Sequence, residues 1–355
     1  MKIHNFSAGP SILPQSVMQE AAQACINFNN SGLSLLEMSH RSPGFEAVIA
    51  EAEALVRELY GLDDSYGVVF MTGGASSQFT LLAMNLLNSD ATAAYANTGV
   101  WAAGAIKAAK DFGTVNVVAS SEKDNYTHIP KGYEVPTDSA YFHYTTNNTI
   151  YGTQMHTIPA VKVPLVADMS SDIFSRQIDA TKFGLIYAGA QKNMGAAGVT
   201  LVIVKKDLLG KVNRKLPVMF DYRTFIEKGS MHNTPPVFPI YVSMLTLRWI
   251  KAQGLAQIEK NNFKKQALLY AAIDENPLFR GTVAVEDRSW MNVNFVTENP
   301  AYEAAFTAHC KSVGISGLPG HRSVGGFRAS IYNALPLESV EFLVEQMGAF
   351  AERNA

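Results

Sequence analysis

A lysine set in an apolar, glycine-rich stretch is the residue best placed to do chemistry in this chain. In LIYAGAQKNMGAAGVTLVIVK, residues 185–205, Lys192 follows an apolar run from Leu185 to Ala190 and precedes a small-residue turn and a second run, Val199 to Val204. Burying an ammonium is costly, so desolvation lowers its pKa, and a neutral amine attacks carbonyls to form a Schiff base. A lysine that merely ends a strand at the surface fits the same stretch. Asp168 closes the apolar run of VPLVAD, where a carboxylate needs a cation or hydrogen-bond donors. It could equally be a cap or turn aspartate, and Ser170-Ser171-Asp172 is a rival for the role. Gly73-Gly74-Ala75-Ser76-Ser77 follows a short strand and opens a helix, so its amides can hold a phosphate. Its spacing matches neither dinucleotide nor P-loop fingerprints, and an ordinary capped turn has the same residues. Trp101 opens a helix after Asn97-Thr98-Gly99, either as a core residue or as a stacking wall.

One ligand accounts for these four features together. Pyridoxal 5′-phosphate needs a lysine for its aldehyde, a carboxylate for its pyridine nitrogen, an aromatic face and an anion site. The carboxylate keeps the ring nitrogen protonated, so that the ring can accept the electrons of a Cα carbanion. Further along, Gly320-His321-Arg322 and Gly325-Gly326-Phe327-Arg328 bring two arginines close in a glycine-rich setting. Arginine forks match carboxylates and phosphates, although neighbouring arginines are more often a solvated surface pair. With His40-Arg41 upstream, the set suits an anionic amino acid. The eight histidines show no metal-ligand spacing, so no metal centre is expected.

These side chains need a scaffold that brings strand ends together. Short apolar runs at Val68 to Met71, Ala93 to Ala96, Val115 to Ala119, Ala140 to Thr145, Val163 to Met169, Leu185 to Ala190 and Val199 to Val204 alternate with helical patterns. That alternation predicts an α/β fold, a large, mostly parallel sheet covered by helices, with ligands beyond the carboxyl ends of its strands. Helices are expected over Gln15 to Asn27, Glu46 to Tyr60 (closed by Gly61) and Gln78 to Leu87. Residues 211–239 read as an irregular connection before a helix from about Ile240 to Gln253. Beyond it the texture changes. Helices over Leu255 to Asn276, Ala301 to Val313 and Leu337 to Glu352 alternate with strands near Val283, Met291 to Val296 and Gly326 to Tyr332, predicting a smaller α+β domain. The expected division is residues 15–254 as a large cofactor-binding domain and 255–355 as a small one, with an ordered arm over 1–14.

The totals are those of a cytoplasmic globular protein. A chain of 355 residues, 47% hydrophobic and 17% charged, can bury a large core. A net charge of −2 gives no reason to expect nucleic acid or an anionic membrane as partner. Two cysteines, Cys25 and Cys310, make no disulfide framework, and MKIHNFSAGP lacks the apolar core of a signal peptide.

Taken together, NFSAGPSILP, SHRSPGF, TGGASSQF, NTGVWA, NNTIYGTQ, VADMSSDIFSR, YAGAQKNMGAAGVTLVIV, HNTPPVFPIY and GLPGHRSVGGFRASIYNA resemble the phosphoserine aminotransferase family nearly end to end. That is a class V family of fold-type I pyridoxal-phosphate enzymes. The resemblance implies that Lys192 forms the Schiff base and Asp168 holds the ring nitrogen, with Trp101 stacking and Thr149 near the ring's phenolate edge. Ala75, Ser76 and Gln191 would bind the cofactor phosphate, joined by Asn233 and Thr234 from a second subunit, which makes a homodimer necessary. Arg328 would hold the substrate α-carboxylate. Arg41, His40, His321 and Arg322 would receive the distal phosphate or γ-carboxylate. The implied reaction moves an amino group between L-glutamate and 3-phosphohydroxypyruvate in serine biosynthesis; a phosphohydroxy-threonine-type substrate of vitamin B6 synthesis fits the same residues. Two departures stand out: Asn148 where relatives often carry an acid, and Ser76 where some carry arginine. A cysteine desulfurase of the same fold and a non-catalytic cofactor-binding module are the alternative readings.

Overall fold

Strand β1 (His4–Asn5) and helix α1 (Gln15–Ile26) open the computed structural model of the chain, which describes residues 2–354. Helix α2 (Pro43–Tyr60) starts with Pro43 in its first turn, after Ser42 as N-cap. It ends at Gly61, whose φ of 60° lets its N–H reach back to the carbonyls of Arg57 and Glu58. The alternating region follows as β2 (Tyr66–Met71), α3 (Gly74–Leu86), β3 (Thr92–Asn97), α4 (Val100–Ala109), β4 (Thr114–Ser120) and β5 (Phe142–Thr145). A two-stranded hairpin, β6 (Asn147–Asn148) and β7 (Thr153–Gln154), precedes β8 (Leu165–Asp168), β9 (Leu185–Gly189) and β10 (Thr200–Lys205). Helices α5 (Tyr222–Glu227) and α6 (Val237–Gln253) complete this part.

Seven strands form one sheet in the order β2-β10-β9-β8-β5-β3-β4. Only β10 runs against the rest, being antiparallel to both β2 and β9. The others therefore point their carboxyl ends to one edge. Strands β2, β5, β8 and β9 are buried along their whole length. This is why they read as continuous apolar runs and not as alternating ones. One face packs against α1, α2 and α6; the other packs against α3, α4 and α5.

The remaining elements are α7 (Leu255–Glu275), β11 (Phe279–Gly281), β12 (Asn292–Thr297), α8 (Tyr302–Ser312), β13 (Ile315–Ser316), β14 (Phe327–Ser330) and α9 (Leu337–Asn354). An antiparallel sheet, β11-β12-β14, shares a separate apolar cluster with α7, α8 and α9. The N-terminal arm joins it: β1 pairs with β13, and Phe6 is buried in the same cluster. Among the described residues no helix is long and apolar enough to cross a membrane.

Two expectations need correcting. No strand forms at Val283; β11 lies earlier, and the chain leaves the sheet after Gly281. Residues 285–287 make a short 3-10 turn in which Val285 is 71% exposed. That turn docks instead on the loop below it, where Asp287 accepts from the N–H of Ile129 at 2.8 Å. The 211–239 connection is not wholly irregular, because it contains α5, capped by Asp221, which accepts from the N–H of Arg223 at 3.0 Å. Six residues are too few to show a helical period.

Candidate active site

The carboxyl edge of the sheet assembles the site. Asp168 is the last residue of β8, and register sets it beside Thr145 of β5 and Tyr187 of β9. The N–H of Ser170 donates to its Oδ1 at 2.9 Å. After β9 the chain turns sharply through Gln191 and Lys192, and this turn is held from several sides. The N–H of Ser11 donates to the Gln191 carbonyl at 2.9 Å, and its hydroxyl donates to the Lys192 carbonyl. The N–H of Asn333 donates to Asn193 Oδ1 at 3.0 Å. Gly195 presses so closely on α6 that a Cβ there would lie 2.2 Å from Ser243 Oγ. Gly9, with φ of +148°, covers the lysine stem, and a Cβ would sit 3.4 Å from Lys192 Cγ. So fixed, the Lys192 amine donates to Thr149 Oγ1 at 2.9 Å.

The amine faces a cleft of about 320 Å³. On one side the N-terminus of α3 contributes Gly74, Ala75 and Ser76 to the lining. Gly73 caps that helix at φ 97° without a side-chain hydrogen bond. The first amides of a helix have no partner within it, so they are free to hold an anion. Trp101, 39% exposed, lines the cleft from the start of α4. Arg328 enters from β14, and its Nε is buried without a hydrogen-bond partner. Thr145 Oγ1, beside Asp168, is likewise buried and unpartnered. A guanidinium and a hydroxyl left unsatisfied in a polar cleft mark places that a ligand completes.

Burial sets the charges. It pulls the Lys192 amine down to about 8, against the attraction of Asp168 and Asp172 and with help from Arg328. It pushes the Asp168 carboxyl up, opposed by hydrogen bonds from Ser170, the charge of Lys192 and a hydrogen bond from Tyr187. Asp172 is pushed to about 6, again by burial first. It is tied to Thr146 and Gln154 and serves the wall behind the cleft, not the cleft itself. The His321 ring is lowered by burial and by Arg328 and Arg322. Lys192, Asp168 and Arg328 thus form a nucleophile, a carboxylate and an unpaired cation around one space. Those are the groups pyridoxal 5′-phosphate and an amino acid require.

Nine residues singled out from the sequence meet in this cleft: Ala75, Ser76, Trp101, Thr149, Asp168, Gln191, Lys192, His321 and Arg328. Five do not line it within one chain. Arg41 is exposed, and its guanidinium donates to the neighbouring His40 at 3.4 Å. Arg322 and Thr234 are exposed. Asn233 lines a second groove of about 490 Å³ on the far side of Ser76, with Phe70, Met219 and Phe220, where no titratable side chain is present. Sequence reasoning missed Ala8, Gly9, Thr145, Asn147 and Ser170 as lining residues. Gly9 and Asn147 lay inside conspicuous stretches, SAGP and TTNNT, and that was the available signal.

Comparison with known proteins is consistent along the whole chain. The family described as Aminotransferase class-V matches residues 3–343. The phosphoserine aminotransferase of Flavobacterium johnsoniae is 58% identical, over 99% of this chain and 100% of that protein. That of Parabacteroides distasonis is 56% identical over the full length of both. Among solved structures, the phosphoserine aminotransferase of Bacillus circulans subsp. alkalophilus superposes with a TM-score of 0.97 at 44% identity, covering 100% of this chain and 99% of that one. The PLP-bound phosphoserine aminotransferase from Trichomonas vaginalis does so at 0.93 and 37%, covering 98% and 100%. A likeness of this extent carries its fold-type I scaffold with it, and the chain belongs to the class-V aminotransferase family.

Proposed function

We propose that this chain is a pyridoxal-phosphate-dependent phosphoserine aminotransferase, passing the amino group of L-glutamate to 3-phosphohydroxypyruvate in serine biosynthesis. The observation that carries the reading is the Lys192 amine, held at a pKa of about 8 in a cleft that also holds Asp168 and an unpaired Arg328. When bound, the cofactor supplies an aldehyde carbon and a ring that draws electrons from the substrate Cα. Every other task falls to the chain. Lys192, whose depressed pKa leaves a larger neutral fraction of its amine than an ordinary lysine has, would hold the cofactor through its aldehyde and would take up and return the proton at the substrate Cα. Asp168 fixes the ring nitrogen and keeps it charged. The amides of Ala75 and Ser76, with Gln191, bind the cofactor phosphate, Trp101 covers the ring, and Thr149 orients the amine and the ring's phenolate edge. Arg328 holds the α-carboxylate of each substrate in turn.

Arg41, His40, His321 and Arg322 receive the distal phosphate or γ-carboxylate. His40, Arg41, Asn233 and Thr234 lie away from their own chain's cleft, which supports a homodimer whose subunits complete each other's sites. In the same reading residues 15–254 form the large cofactor-binding domain and 255–355, with the arm over 1–14, form the small C-terminal one. The enzyme acts in the cytoplasm, and a phosphohydroxy-threonine-type substrate of pyridoxine synthesis enters the same pocket. A desulfurase reading has less support: no cysteine lines the cleft among the described residues. Cys310 is 2% exposed, and burial pushes its thiol up to about 12.

The test is the visible spectrum of the purified, cofactor-loaded protein. Glutamate should bleach the aldehyde-form band, and phosphohydroxypyruvate should restore it. A band indifferent to glutamate would leave only a cofactor-binding module. Arg328→Ala should weaken both substrates about 10²-fold, as expected for losing a paired charge-assisted contact worth about 3 kcal/mol. A KM change for one substrate alone would move Arg328 to the distal group.

A further inference from the structure

Behind Asp168 lies a line of buried polar groups that the reaction as described does not use. Register places them. Tyr187 of β9 sits opposite Asp168, while His143 of β5 and Val166, two residues before Asp168, sit opposite each other. Side chains two apart on a strand share a face, so Asp168, Tyr187 and His143 all leave the sheet on the side covered by α3 and α4. The Tyr187 hydroxyl is 2.9 Å from His143 Nε2, and Tyr187 stands beside Asp168 in the register of the two strands. All three residues are buried.

The direction of the hydrogen bonds follows from one missing partner. His143 Nδ1 is buried with nothing to bond to. A proton there would be an orphaned donor, whereas a bare lone pair is tolerated more cheaply. The ring proton therefore sits on Nε2 and is donated to Tyr187 Oη, which leaves the tyrosine O–H free to turn toward Asp168, its neighbour in the register. Burial lowers His143 to about 3 and raises Tyr187 well above the usual phenol value, so neither group titrates near neutral pH. The line is a fixed, neutral donor whose members polarise one another.

Asp168 needs such a donor. Between its carboxylate and a pyridine nitrogen there is one proton, and burial favours leaving it on the carboxyl. The groups facing Asp168 are the Ser170 N–H, the Lys192 amine, Tyr187 and, with opposite sign, Asp172. Lys192 ceases to help once its amine is neutral, which makes Tyr187 and Ser170 the lasting donors. We propose that Tyr187 and His143 are positioning residues that keep this shared proton on the cofactor nitrogen and off Asp168. The inference rests on the assignment of pyridoxal 5′-phosphate to the cleft.

The test uses full-length protein loaded with pyridoxal 5′-phosphate labelled with nitrogen-15 in the ring, whose chemical shift separates protonated from neutral pyridine. The parent should show a protonated nitrogen. Tyr187→Phe should move the signal toward the neutral value and weaken cofactor binding about tenfold. His143→Leu should move it in the same direction, and His143→Gln, which retains an N–H, should restore it. Tyr95→Phe is the control: its ring stacks on His143 at 4.8 Å, but its hydroxyl bonds to Tyr141 at 2.7 Å, outside the line. It should leave the nitrogen unchanged. A parent-like signal in Tyr187→Phe overturns the proposal, as does an equal shift in Tyr95→Phe, which would mean general packing damage. Should Tyr187→Phe not fold, the His143 pair decides alone: no shift in His143→Leu, or no recovery in His143→Gln, overturns it. A parent that fails to bind the labelled cofactor would instead refute the assignment of the cleft.

Discussion

Replacing Lys192 with alanine is expected to lower transamination by more than about 10⁴-fold, because one side chain supplies both the covalent hold and the proton transfer. The visible band of the loaded protein should disappear or shift with it. The fold should survive, since burying an ammonium costs the parent stability. This last point has a sign that can be checked. The folded-state pKa of about 8 lies below the ordinary value of 10.5, so between those values the unfolded chain binds more protons and the parent gains stability as pH rises. The alanine variant should lack that gain, seen as a difference in denaturant midpoints across the window. Capture of the cofactor aldehyde by the parent should rise through about pH 8, where the amine becomes neutral, and level off above it. A purified Lys192→Ala protein that still transaminates near the parent rate would end the proposed chemistry.

Asp168→Asn should cut the single-turnover rate with glutamate by about 10²–10⁴-fold and speed cofactor loss. The amide keeps nearly the same shape, and the Ser170 N–H can still donate to its oxygen, so folding is not the reason for the loss. What changes is charge. A neutral amide cannot hold a proton on the ring nitrogen, and the ring becomes a poorer acceptor for the electrons released at Cα. Stopped-flow absorbance with excess glutamate measures this directly. Rates equal to the parent's would remove Asp168 from the site.

The fold and the centre of the candidate site were largely legible, for a local reason. Strands buried on both faces leave continuous apolar runs, and the cleft opens where those runs stop, so Asp168 and Lys192 could be found by reading to the end of a run. Helix α3 begins at Gly74, four residues before the expected start at Gln78, because its first turn is made of small residues that show no period. The reversed direction of β10 left no trace, since strand orientation is fixed by partners and not by pattern. The same holds for Gly9 and Ser11, whose roles depend on a turn far along the chain. His40, Arg41, Arg322, Asn233 and Thr234 were recognisable only as parts of stretches resembling a family. Nothing local says which subunit's cleft such a side chain would serve in the proposed homodimer.

Lys265 is 2% exposed and donates to the carbonyls of Ile331, Tyr332 and Leu335 at 2.8, 2.7 and 3.1 Å. Burial draws its pKa to about 7, yet three acceptors call for the three protons that only an ammonium has. The bend it braces carries Asn333, and Asn333 grips the residue beside Lys192 while Ser11 grips the other side. The reactive amine is therefore aligned by segments drawn from both termini. Neither extremity is a detachable accessory: a chimera that borrowed its head or its tail from a distant relative would inherit the cleft and lose its aim.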